Sequence, residues 1–105
     1  METIYKVIIE PTAEKDLYSI LSYTSNTLKE PVATKRIFLS IREHVMGLDH
    51  MPHRHAVIGE EPYASMGVRK IPVENYVVFY LIDESDKSVH VFRILYNRRE
   101  WKNLI

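Results

Sequence analysis

The spacing of apolar and polar positions divides the chain into strands and helices. Ile4-Tyr5-Lys6-Val7-Ile8-Ile9 is rich in β-branched and aromatic residues and predicts a first strand. Pro11 suits the first turn of a helix, where its missing N–H leaves nothing unpaired. Ala13, Leu17, Ile20, Leu21, Thr24 and Leu28 then recur at helical spacing, which predicts a helix over 11–28. Pro31 opens a second helix in the same way. Its stripe is Ala33, Ile37, Ile41, Val45 and Leu48, widened by Phe38 and ended by Gly47 and the Met51-Pro52 step. Two amphipathic helices joined by so short a connection predict an antiparallel hairpin.

Residues 49–65 carry Pro52, Gly59 and Pro62 with no sustained period and read as a solvated loop beside the helix hairpin. Gly67 to Val73 reads as a strand, and Pro72 assigns it to a sheet edge, since proline cannot donate to a ladder. Tyr76 to Ile82 is apolar on both faces, which predicts a central, covered strand. Asp83 to Lys87 is a hairpin turn, and Val89 to Tyr96 is the last strand. A short helix from about Asn97 to Leu104 ends the chain. The order is β-α-α-β-β-β-α in one domain, 1–105. The class is α+β, with the helix hairpin packed on one face of a mainly antiparallel four-stranded sheet.

A length of 105 residues supports a real core without staples. The hydrophobic share of 46% and charged share of 27% are those of a globular domain. No cysteine is present, which removes disulfides, thiol nucleophiles and thiolate zinc sites. The N-terminal residues lack the basic and apolar regions of a secretory signal, and no apolar run reaches the roughly 18 residues of a spanning helix. The expectation is a cytoplasmic protein with no membrane partner. The formal net charge is zero, yet Arg93, Arg98, Arg99 and Lys102 face only Glu100 in the last stretch, a local basic patch on a neutral body.

Three words resemble the RelE/ParE superfamily of type II toxins when read in this order. They are Tyr5-Lys6-Val7-Ile8-Ile9-Glu10-Pro11-Thr12-Ala13-Glu14-Lys15-Asp16-Leu17, then Arg69-Lys70-Ile71-Pro72-Val73-Glu74-Asn75-Tyr76-Val77-Val78-Phe79-Tyr80, and the tail Arg93-Ile94-Leu95-Tyr96-Asn97-Arg98-Arg99-Glu100-Trp101. The resemblance implies a cognate antitoxin, a toxin–antitoxin hetero-oligomer and one of two targets. One branch cuts messenger RNA on the ribosome as a metal-independent endoribonuclease. The other poisons DNA gyrase and is not an enzyme. A degenerate member that binds its antitoxin and harms nothing is a third reading. The ribonuclease branch carries an Arg just after the position of Tyr76, where this chain has Val77, and that departure leans toward the gyrase branch.

RNA cleavage through the 2′-hydroxyl requires cations at the phosphate and a group that moves a proton. The resemblance puts Arg69, Arg93, Tyr96, Arg98 and Arg99 in those roles, with Lys70, Trp101 and Lys102 as target-binding residues. Each has a plainer reading. Arg69 could be an exposed strand residue paired with an acid. Strand alternation sends Lys70 to the opposite face, and Arg69 is the favoured one of the two. Arg93 shares an apolar face with Val89, Val91 and Leu95 by strict alternation, and would otherwise be half of an ion pair with an acid of the tail. Trp101 could anchor the last helix, and Arg98 and Arg99 diverge by about 100° on it. His50, His53 and His55 with Asp49 lack metal-ligand spacing, so no metal or cofactor is expected. His90, on a face with Phe92 and Ile94, reads as a satisfied, partly buried histidine. Tyr18 and Tyr23 flank the first helical stripe and read as packing residues with wet hydroxyls.

Overall fold

The computed structural model describes residues 3–97. β1 (Lys6–Ile9) leads into α1 (Pro11–Ser22), whose last turn widens to π geometry over Tyr23–Thr27. α2 (Pro31–Met46) follows and closes with a 3₁₀ turn, Gly47–Asp49. A second 3₁₀ turn at Pro52–Arg54 and the one-turn helix α3 (Tyr63–Met66) interrupt the connection to the sheet. β2 (Arg69–Val73), β3 (Tyr76–Asp83) and β4 (Ser88–Tyr96) complete the described chain. The final helix expected from Asn97 onward lies outside the described residues.

The strands run β1-β4-β3-β2 across one sheet. β1 lies parallel to β4, and the other two pairings are antiparallel. β2 is therefore an edge, and Pro72 sits exposed on it as its missing donor requires. β3 is internal, and its Val78, Phe79 and Tyr80 are wholly buried. β1 is shorter than expected because Ile4 leaves the ladder and makes a single bridge to His50.

The two helices cover one face. Ile37, Ile41, Val45 and Leu48 of the predicted stripe are buried against Ile71, Val73, Val78, Tyr80, Val89, Val91 and Ile94. Each such aliphatic side chain contributes about 1.5–3 kcal/mol by leaving water. The stripe stops short at its margins, since Leu28 and Phe38 remain exposed. Tyr18 and Tyr23 are also exposed, at 75% and 56%, and do not pack as expected.

The second face is apolar too. Phe79 and Leu95 bury there with Ile58 and Val68, flanked by Tyr63, Val77, Leu81 and Phe92. The connection around Ile58 and α3 thus folds onto the sheet and is not simply solvated. Backbone bonds from Ile58 N to Val68 O and from Val68 N to Tyr63 O secure it.

One irregularity redirects side chains. Tyr80 pairs with Val91 but Phe79 pairs with Arg93, so Phe92 is an extra residue in β4. Before this bulge Val89 and Val91 face the helices, and after it Ile94 does.

Candidate functional site

The bulge decides where Arg93 goes. Strict alternation would place it with Val89 and Val91, but it stands opposite Phe79, on the face away from the helices. Lys70 also pairs with Phe79 from the other side. Lys70, Phe79 and Arg93 therefore form one row across three strands, with the two cationic residues about 10 Å apart at the backbone. The same slip separates His90 from Ile94, which were expected to share a face.

Arg93 is held at its base. Its Nε donates to Asp16 Oδ2 at 2.7 Å and its Nη2 to Asp16 Oδ1 at 3.1 Å. This partner acid comes from α1, and the acid of the tail lies outside the described residues. The Asp16 carboxylate also accepts the Ile94 N–H at 2.9 Å, and one turn earlier Thr12 Oγ1 donates to the Phe92 carbonyl. β1 ends at Ile9, so the far part of β4 has no strand on that side. Side chains of α1 take its place along the edge.

Arg69 is placed differently. It shares the helix-facing side with Ile71 and Val73, opposite Tyr80. Its Nη1 donates to the carbonyls of His53 and His55, at 3.2 and 2.5 Å. It ties the Pro52–Arg54 turn to β2, and among the described residues no acid pairs with it as the plainer reading had it. Arg69 and Lys70 do lie on opposite faces as alternation requires, but Lys70 is the one that shares a face with Arg93. Beside Arg69, the buried Tyr80 hydroxyl donates to Pro52 O at 2.7 Å. Burial pushes its pKa from 10.0 up to about 12, with Arg69 and Arg54 pulling weakly against the shift. Such a hydroxyl is a structural donor and not a base.

Tyr96 leaves the sheet half-exposed, its ring tilted against Tyr76 at 5.8 Å between centroids. Burial raises the Tyr76 pKa, a hydrogen bond with Thr24 opposes the shift, and Tyr96 and Tyr23 add to it. Arg98, Arg99, Trp101 and Lys102 lie outside the described residues.

The histidines disperse. His50 Nδ1 meets Asp49 Oδ1 and His53 Nε2 meets Glu84 Oε1, both at 2.5 Å. His55 stands edge-on to Tyr80, and burial, then the Arg54 charge, lowers its pKa. His90 is satisfied from both sides, with Nδ1 on Glu10 Oε1 at 2.6 Å and Nε2 on Ser88 Oγ at 2.9 Å. Asp16, Glu10 and the Glu84 cluster were not singled out in the sequence. A carboxylate on a helix surface gives no sign of reaching a strand 77 residues away.

The family model described as ParE toxin of type II toxin-antitoxin system, parDE, matches residues 7–101. This chain belongs to the ParE toxin family. Its fold is similar to a chain of the chromosomal ParDE toxin–antitoxin system of P. aeruginosa, with TM-score 0.71, 21% identity and coverage of 90% of this chain and 97% of that one. It is also similar to a chain of the toxin–antitoxin complex RelBE2 from Mycobacterium tuberculosis, with TM-score 0.64, 23% identity and coverage of 89% and 98%. The archaeal RelE–RelB complex from Pyrococcus horikoshii OT3 gives TM-score 0.55 at 23% identity, covering 91% and 98%. No curated protein matches the chain. Among the described residues of this ParE-family chain, no helix is long and apolar enough to cross a membrane.

Proposed function

We propose that this ParE-family toxin arrests growth by inhibiting DNA gyrase and is neutralised by a cognate antitoxin. The observation that carries the reading is the ParE family match over residues 7–101. The geometry supports it against RNA cleavage. Two of the arginines that would flank a scissile phosphate are engaged within the fold, Arg69 by loop carbonyls and Arg93 by Asp16. Tyr80, the cross-strand partner of Arg69, has its pKa raised by burial to about 12. Val77 stands where the ribonuclease branch carries an arginine. Stabilising charge at a phosphate requires donors aimed at open space.

An antitoxin partner is supported by the similar structures, which are themselves toxin–antitoxin complexes. The β2 edge beyond the Val57–Arg69 bridge and exposed Val32 and Leu39 on α2 suit an added strand or helix. Assembly into a toxin–antitoxin hetero-oligomer follows.

The deciding experiment adds the purified chain to gyrase and relaxed plasmid. Loss of supercoiling with gyrase-linked DNA breaks is the expected result. Unchanged supercoiling by folded protein would overturn the reading.

One observation favours the ribonuclease alternative. Lys70 and Arg93 flank Phe79 on one face, and the basic tail follows closely in sequence. Primer extension on a defined message in a purified translation system separates the two. Cuts that appear only on ribosomes would establish the alternative.

A further inference from the structure

The β3–β4 hairpin carries a group of donors that neither target reading uses. Asp83 ends β3, Asp86 lies in the turn, and His90 stands two residues into β4. One ligand atom from each lies within 4.8 Å of the others. We propose that Asp83, Asp86 and His90 bind a divalent first-row transition ion, with Zn²⁺ the best fit.

The histidine separates this group from an ordinary acidic turn. Its Nδ1 lies 2.6 Å from Glu10 Oε1, a carboxylate on the segment between β1 and α1. A carboxylate only accepts, so Nδ1 carries a hydrogen toward Glu10, and Nε2 lies on the Ser88 hydroxyl. Carboxylate support behind a ligating imidazole is the arrangement that orients such rings at metal sites. Here it is supplied by a residue remote in sequence.

Hydrogen bonds within the hairpin already reach the three donors. The buried Ser88 hydroxyl lies 2.5 Å from Asp86 Oδ1 and 2.9 Å from His90 Nε2, and it has one hydrogen for both. Ser85 serves Asp83 Oδ1 through its N–H and its hydroxyl. The turn's own Lys87 is directed to Glu84 at 2.7 Å. A cation would displace the Ser88 contact at Nε2 and take the solvent-facing lone pairs of the two exposed aspartates.

The donor set chooses the ion. One imidazole nitrogen with two carboxylates suits Zn²⁺ and its neighbours. Ca²⁺ and Mg²⁺ require all-oxygen shells, six to eight ligands for the first and near-ideal octahedra for the second. Three protein ligands leave the remaining position to water.

The test is calorimetric titration of the tag-free full chain with ZnCl₂ in a non-chelating buffer, with circular dichroism to check each variant's fold. The expected result is one equivalent bound. His90→Gln and Asp86→Asn should each weaken binding at least 10-fold, and Glu10→Gln on the order of 10-fold. His53→Gln should change nothing, and millimolar Mg²⁺ should not compete. Asp86 is exposed, so its variant remains decisive if His90→Gln unfolds. Absence of binding by the parent chain would overturn the proposal. So would binding that survives Asp86→Asn but is lost in His53→Gln, or equal competition by Mg²⁺.

Discussion

Asp16 grips Arg93 with both carboxylate oxygens, at 2.7 and 3.1 Å, across 77 residues of sequence. The same carboxylate caps the Ile94 N–H on the open side of β4. The two side chains are mostly buried, at 24% and 16% exposure. Removing the acid therefore takes from a charge and a backbone donor the carboxylate they share. Asp16→Ala should destabilise the fold by about 3 kcal/mol. Arg93→Met keeps the cap on Ile94 and should lose less, about 1–2 kcal/mol. Urea denaturation of the two variants gives the comparison. A larger loss from Arg93→Met would show that the edge cap contributes little.

Tyr80 gives the fold an alkaline limit. Its pKa is raised from 10.0 to about 12 by burial, so the folded state holds the phenolic proton more tightly than the unfolded chain does. Between these values the native state binds more protons, and stability falls as pH rises. The contribution is complete below about pH 10 and is lost on the way to about pH 12. Its upper bound is on the order of 2–3 kcal/mol, at 1.4 kcal/mol per pH unit. Tyr80→Phe should flatten this part of the pH profile and, by orphaning the Pro52 carbonyl, lower stability near neutrality by about 1 kcal/mol. Denaturation at a series of pH values from 9 to about 12 checks both effects. An unchanged alkaline slope in the variant would place the titration elsewhere.

The two helices and all four strands were legible because each buries a periodic face, and Pro72 marked its edge because a missing donor is a local fact. The failures have one physical origin, contacts made at long range. Nothing near Phe92 announces a bulge, yet it moves Arg93 to the other face and parts His90 from Ile94. The Ile58 packing on Phe79 looked like loop because the run Ala56-Val57-Ile58 before Gly59 is too short to show a period. Alternation correctly parted Arg69 from Lys70, but which of them shares a face with Arg93 depends on register, a property of three strands together. Asp16 and Glu10 were invisible as site residues because their partners lie on β4.

The β2–β3 hairpin contains a residue the turn does not favour. Glu74 has φ of 55°, in the left-handed region that side chains with a Cβ avoid. Its ion pair with Arg36 is long, 3.6 Å, and solvent reaches both groups, so it offsets little. Glu74→Gly should raise stability by about 0.5–1 kcal/mol. Thermal unfolding measures this directly. A fall in stability would mean that the Arg36 contact outweighs the backbone strain.

The two neighbouring basic residues of β2 should separate stability from toxicity. Arg69 binds the carbonyls of His53 and His55 on the helix-facing side, so Arg69→Ala should loosen the 50–57 segment. The expected loss is about 1–2 kcal/mol, with faster amide exchange in that segment. Lys70 is exposed on the face it shares with Arg93, and Lys70→Ala should leave stability within about 0.5 kcal/mol. If that face meets the target, induced expression of Lys70→Ala should restore colony formation at least 10-fold over the parent chain at equal protein level. Lys70→Arg, which keeps the charge, should not. Arg69→Ala should relieve growth arrest only as far as its folded population falls, which denaturation data fix independently. Growth arrest by Lys70→Ala as strong as the parent's would remove this face from the toxic surface and leave the basic tail beyond β4 as the place to look.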